Sequence, residues 1–174
     1  MGLYRNLNVA VSFNPEPPQG TYVGLRQSHH HLSQRGLNLP VTISKAAIYL
    51  KSPSLDKPPA SSITVMAHLD TGASMTSIDM GLATKHLMLP ATGTSHPHTA
   101  GGRITVPTFA IDLGFPNTSL APFQNLQISS CKLQFDISGN LNDPKNFGIL
   151  IGRDVMSRWN IVWDGPTSTV FIND

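Results

Sequence analysis

The sequence predicts an all-β protein with one or two short helices. Two observations carry that prediction. The 174 residues include 14 glycines and 14 prolines, so many turns are expected. Between the turns lie short apolar runs, the clearest being Ile63-Thr64-Val65-Met66-Ala67-His68-Leu69 and Phe147-Gly148-Ile149-Leu150-Ile151.

Taken in order, residues 1–40 differ from the rest and read as an N-terminal extension, partly extended or loop. Asn14-Pro15-Glu16-Pro17-Pro18 is a turn or linker, and 9–13 and 21–25 have the composition of short strands. From residue 41 to 174 the pattern is that of one β domain. Val41-Thr42-Ile43 and Ala46-Ala47-Ile48-Tyr49-Leu50 read as strands, and 54–62 as a loop. In 63–70, period-2 alternation puts Ile63, Val65, Ala67 and Leu69 on a core face, with Thr64, Met66, His68 and Asp70 on the other. Residues 75–78 form a returning strand. Asp79 is an N-cap for a short helix reaching Met88, ahead of Pro90, with Met80, Ala83 and Leu87 on one face.

Beyond a turn-rich segment, Gly101-Gly102 sits between strand-like arms and marks a hairpin tip. Strands follow at 104–106, 109–113 and 126–135, with 115–125 and 139–145 as loops. Phe147–Ile151 runs into Gly152-Arg153-Asp154, then a short helix over 155–159. The chain closes as a hairpin, 160–163 and 169–172, around Asp164-Gly165-Pro166.

Composition excludes several classes of function. Hydrophobic content of 40% supplies a core, and the charged share is only 13%. A net charge of +2 without a basic run points away from nucleic acid. Cys131 is alone, which rules out an intrachain disulfide and a four-cysteine zinc site, and reads as structural. Glu16 is the only glutamate, so there is no His-Glu-x-x-His run, and no Gly-x-Ser-x-Gly elbow is present. His29-His30-His31 reads as a solvated loop, because a metal site there needs partners that the sequence does not identify. No metal or other cofactor is expected. No apolar run approaches the roughly 18 residues of a membrane helix, and the N-terminus lacks a signal-peptide core, so a soluble cytoplasmic protein away from membranes is expected.

The chemistry-bearing stretch is Leu69-Asp70-Thr71-Gly72-Ala73-Ser74. A strand ends there by presenting one carboxylate on a tight glycine turn. The second is Ile149-Leu150-Ile151-Gly152-Arg153-Asp154, with Gly152 lying 82 positions after Asp70 (152 − 70). The pair of segments resembles the retropepsin-like aspartic proteases, and element order over 41–174 follows the same family. The resemblance implies a closed β-barrel protomer and a water activated by paired carboxylates. Only one Asp-Thr-Gly is present, so the active form implied is a symmetric homodimer with an Asp70/Asp70′ dyad, acting on a peptide or protein substrate.

By the same resemblance, Asp70 is catalytic, and Thr71 and Gly72 support the dyad. His68, Ala73, Ser74, Gly101 and Gly102 are the expected substrate-binding residues, the last two at a flap tip with mostly apolar side-chain pockets nearby. Gly152, Arg153 and Asp154 form the supporting motif. Ser74 stands where retroviral members often carry an Asp that pairs with the motif arginine, and Asp154 where many viral members have Asn. The alternative is a catalytically inactive domain of the same fold, used for dimerisation or peptide binding.

Overall fold

The computed structural model describes residues 23–26, 36–49, 62–99, 101–133, 135–140 and 146–174. Among them are twelve strands: β1 (Val23–Arg26), β2 (Asn38–Lys45), β3 (Ile63–Leu69), β4 (Ser77–Asp79), β5 (Gly93–Ser95), β6 (His98–Thr99), β7 (Gly102–Arg103), β8 (Val106–Gly114), β9 (Phe123–Cys131), β10 (Phe147–Ile151), β11 (Asn160–Asp164) and β12 (Thr169–Asn173). Six of these close on themselves in the order β2-β3-β10-β4-β9-β8, with β8 returning to β2 and β5 added outside β8. The expected all-β fold with a closed barrel and short helices is the one observed.

Barrel closure explains the core. Val65 and Ala67 of β3, Leu39, Val41 and Ile43 of β2, and Ile149 and Ile151 of β10 are all essentially inaccessible. They point inward from alternate positions, as a half-buried strand requires. The four-residue helix α1 (Arg153–Met156) seals one end with Val155 and Met156. Near it, Trp159 packs edge-on against Phe115, at 5.1 Å between ring centroids, and against Phe123.

Two strands cross the barrel in parallel, and this places the site. β3 and β10 run side by side with Leu69 opposite Ile151. Parallel neighbours end at the same edge, so the chain leaves both strands at one mouth of the barrel. The Asp70 N–H donates to the Ile151 carbonyl at 3.0 Å, which ties the two exits together.

Several elements depart from the sequence-based expectation. The strand expected over 46–50 does not form across its described residues: β2 ends at Lys45, and Ala47–Tyr49 forms a single 3-10 turn. β2 pairs with β8 only as far as Lys45 opposite Ile111, and β5 pairs with β8 at 106–108, so β8 has little room left to carry β2 further. The Tyr49 hydroxyl then accepts the Ala110 N–H of β8 at 2.9 Å, pinning the turn. Strands expected at 104–106 and 109–113 are one strand, β8, and Ile104 is left outside it and exposed. β9 starts at Phe123 instead of 126. Asn125 adopts a left-handed conformation (φ 52°) at the register shift, where its N–H is taken by the Asp112 carboxylate.

The helix after Asp79 forms, with a wider winding. It is a π-type segment, Leu82–His86, in which the Leu87 N–H reaches back to the Leu82 carbonyl. Asp79 caps it as expected, accepting the Leu82 N–H at 3.0 Å, and its other oxygen accepts the Leu133 N–H. α1 begins two residues before the expected 155, at Arg153.

β1, inside the expected extension, pairs antiparallel with β12, and β11 completes this three-stranded sheet. β2 starts at Asn38, and Leu37 and Leu39 are buried, so the barrel begins just before residue 41. The strand-like stretch at 9–13, the histidine triplet and the loop at 54–61 lie outside the described residues. Among the described residues no helix is long and apolar enough to cross a membrane.

Candidate active site

Asp70 is the first residue after β3. Residues 71 and 72 turn sharply, and the turn folds back on the carboxylate. Oδ1 of Asp70 accepts the Gly72 N–H at 2.8 Å and the Ala73 N–H at 3.3 Å. The Asp70 carbonyl accepts the Ala73 N–H at 3.1 Å. One carboxylate oxygen is thus fixed by the backbone. This arrangement orients an acid without consuming a second side chain.

The second segment locks the loop from below. Arg153 sends its N–H to the Ala73 carbonyl at 3.0 Å and its Nη1 to the Thr71 carbonyl at 2.9 Å. The arginine partner left open by Ser74 is therefore a main-chain oxygen. The Asp154 carboxylate accepts the Thr76 N–H at 2.9 Å and the Thr76 hydroxyl at 2.8 Å. That hydroxyl oxygen in turn accepts the Gly152 N–H at 3.1 Å. Thr76 is fully buried, so this small network replaces water for both loops.

Gly152 is required by contact. A Cβ built there meets the Met75 carbonyl carbon at 2.5 Å and the Thr76 nitrogen at 2.8 Å. Both are backbone atoms, so no side chain swings aside to make room. The two loops approach this closely only because residue 152 has no side chain.

Above Asp70 opens a cleft of about 510 Å³. Its floor is Asp70, Gly72, Ala73 and Ser74, continued by Met75 and Ser77. Ser129 of β9 closes the side, its hydroxyl 2.6 Å from that of Ser77. The far wall is Ser95, His96, Pro97 and His98, where the chain enters the β6–β7 hairpin. The hairpin begins at this wall, and Gly101 and Gly102 lie at and beside its tip, outside the cleft lining. Gly102 has φ 104° and nothing within 4 Å of a built Cβ.

The structure brings Asp70, Gly72, Ala73 and Ser74 together at one cleft, with exposed Thr71 on the same turn. His68 departs from the expectation. It precedes Asp70 by two, yet it does not line the cleft. Its ring stacks on Phe147 at 5.2 Å between centroids, and Nδ1 lies 2.8 Å from Asn38 Oδ1. The strand ends at Leu69, and the turn there redirects Asp70 from the face that His68 keeps. His68 is part of the barrel wall between β2 and β10.

Sequence reasoning missed His96, His98 and Ser129. The two histidines read as surface groups on a loop, although their two-residue spacing just before the glycine pair is the pattern of one hairpin face. Ser129 has no local signal. It reaches the cleft because β9 pairs in parallel with β4, a contact between segments about fifty residues apart.

Among the described residues no group of three or more His, Cys, Asp or Glu side chains is placed to hold a metal. Cys131 is not at the cleft. Burial, and then the nearby Asp79 charge, push its thiol up to about 12, which keeps it protonated and unreactive.

No protein-family model matches the chain, and no curated protein matches it. Among solved structures, it is similar to a retropepsin-like aspartic protease from Rickettsia conorii. That likeness covers 87% of this chain and 90% of that one, at 14% identity and a TM-score of 0.47.

Proposed function

We propose that this chain is an aspartic endopeptidase that works as a homodimer. The observation that carries the reading is the Asp70 carboxylate, held by two backbone N–H groups at the floor of an open cleft and backed by the Gly152–Asp154 lock. A structural aspartate needs no such cleft.

A protomer has one such carboxylate, and peptide hydrolysis by this route needs two. In the proposed dimer, Asp70 meets Asp70 of a second copy across a two-fold axis. Two carboxyls about 3 Å apart share one proton, because both cannot be ionised together. The ionised one takes a proton from water as the water attacks the peptide carbonyl. The protonated one donates to the carbonyl oxygen and steadies the tetrahedral diol. Collapse returns a proton to the leaving amine. Thr71 holds the two loops together across the axis. The β6–β7 hairpin is the flap that covers an extended peptide.

The test is Asp70→Asn. Asn keeps the shape and one oxygen for the Gly72 N–H, but it is not a base. Cleavage of a peptide mixture is expected to fall at least about a thousandfold in kcat with the fold intact by circular dichroism. Specific activity of the wild type should also fall on dilution through the dimer dissociation range. Near-wild-type turnover by a folded Asp70→Asn protein ends this reading. A folded dimer that cleaves nothing selects the binding-module alternative.

A further inference from the structure

The cleft over Asp70 carries polar side chains among its apolar surface. Its lining holds three serines on the floor and side, Ser74, Ser77 and Ser129, and a fourth, Ser95, on the far wall. Among the described residues, Asp70, His96 and His98 are the lining residues with titratable side chains. The cleft therefore sets one acid after β3 against two imidazoles on the segment that leads into the β6–β7 hairpin.

The imidazoles are placed, not merely present. His96 Nδ1 lies 3.0 Å from the Thr105 hydroxyl. That contact ties the ring to the segment that follows β7, while His96 itself lines the cleft. His98 sits on β6 directly opposite Arg103 on β7. Neighbouring side chains of such a cross-strand pair are about 5 Å apart, within reach of each other's charge. The groups facing the two histidines are thus Arg103 on the paired strand and Asp70 on the floor. No acid stands on β6 or β7, whose residues are His98, Thr99, Gly102 and Arg103. Among the described residues that line the cleft, Asp70 is the one acid set against these cations, and residue 74 is a neutral serine.

We propose that His96 and His98, backed by Arg103, select an acidic side chain in the bound peptide. This rests on the endopeptidase reading and goes beyond it by naming the substrate class: peptides with Glu or Asp at the position lying under the hairpin. Imidazolium donates to a carboxylate as a charge-assisted hydrogen bond, stronger than the bond that a neutral imidazole makes to an amide. The preference for Glu over the isosteric Gln should therefore widen as pH falls from 8 toward 5.5. Below that, a substrate carboxyl itself begins to protonate, and the preference should shrink again. Arg103 keeps its positive charge at every pH in this range, so some preference persists at pH 8.

The experiment uses full-length dimeric protein and peptides that differ only by Glu, Gln or Lys at each position within three residues of the cut. Two readouts are taken: kcat/KM of the wild type, and anisotropy binding to the Asp70→Asn protein, which needs no turnover. The expected result is one position at which Glu exceeds Gln by about fivefold at pH 5.5, the scale of a partly exposed ion pair. Lys should be the poorest there. The ratio should fall toward one in a His96→Gln/His98→Gln double variant, whose substitutions lie on exposed positions. Arg103→Gln should reduce the preference that remains at pH 8.

Equal binding of Glu and Gln peptides at every position and pH overturns the inference, even if cleavage is Asp70-dependent. A Glu preference unchanged in the double variant overturns it too. Charge-selective binding without cleavage by the wild type leaves the inference standing and ends the endopeptidase reading, so the two fail separately.

Discussion

The floor and the far wall of the cleft are built in opposite ways. The Asp70 loop is over-determined: two N–H groups hold its carboxylate, Arg153 holds two of its carbonyls, and Asp154 holds Thr76 behind it. The β6–β7 hairpin has two-residue strands, exposed side chains and a tip stabilised mainly by the Thr99 hydroxyl, which donates to the Gly102 carbonyl and accepts the Gly101 N–H. The contrast fits a division of labour. A reacting acid needs a fixed position, because a misplacement of about 1 Å costs orders of magnitude in rate. A wall that admits and covers a peptide needs low local stability.

The largest expected effect comes from breaking the floor sterically. In Gly152→Ala, a methyl group has no room against the Met75 and Thr76 backbone. We expect destabilisation of about 3 kcal/mol or more, read as a fall in urea midpoint, with activity lost even in the folded fraction. A variant of wild-type stability would show that the loops separate easily and that the floor is not rigid.

Next is Asp154→Asn. One oxygen is retained for Thr76, but the charge and one acceptor are lost. A cost of about 1–2 kcal/mol is expected, with a lower kcat and little change in KM. A change in KM alone would place Asp154 with the substrate instead of under the loop.

The hairpin should behave otherwise. Gly102→Ala forces a side chain into φ 104°, where glycine is favoured, though nothing crowds the Cβ. About 1 kcal/mol of local strain is expected, with barrel stability hardly changed and the effect appearing in KM and peptide off-rate. An equal loss in global stability would mean that the hairpin is part of the barrel's cooperative unit.

The smallest effect concerns Cys131, whose thiol is raised to about 12 chiefly by burial. At pH 8 the native protein should react with a thiol reagent more slowly than the urea-unfolded chain, because less of its Cys131 is thiolate. The raised value also means that the native state holds its thiol proton more tightly than the unfolded chain. That contribution to stability is intact below pH 9 and is lost progressively as pH rises from about 9 to 12. Fast native labelling at pH 8 would place the barrel end near Cys131 with the mobile hairpin.

The sequence by itself determined the elements whose signals are local. β3, with its alternation into Asp70, begins and ends where the apolar run does. β10 leads into Gly152 as read, Asp79 caps the helix, and 160–173 closes as a hairpin. Turn chemistry and apolar patterning act over a few residues, so they are written in order along the chain.

Tertiary structure decided what depends on pairing. Residues 46–50 are strand-forming in composition, but β5 pairs with the part of β8 next to β2, and the chain turns at Ala47–Tyr49. His68 alternates with Asp70 on paper, and the turn after Leu69 separates them, leaving the ring on Phe147. Ser129 joins the cleft through a parallel pairing, and His96 and His98 through the segment that leads into the β6–β7 hairpin. The Arg153 partner turned out to be a carbonyl rather than a carboxylate. Contacts between distant segments are fixed by which strands the closed barrel makes adjacent, and that adjacency is a property of the whole sheet.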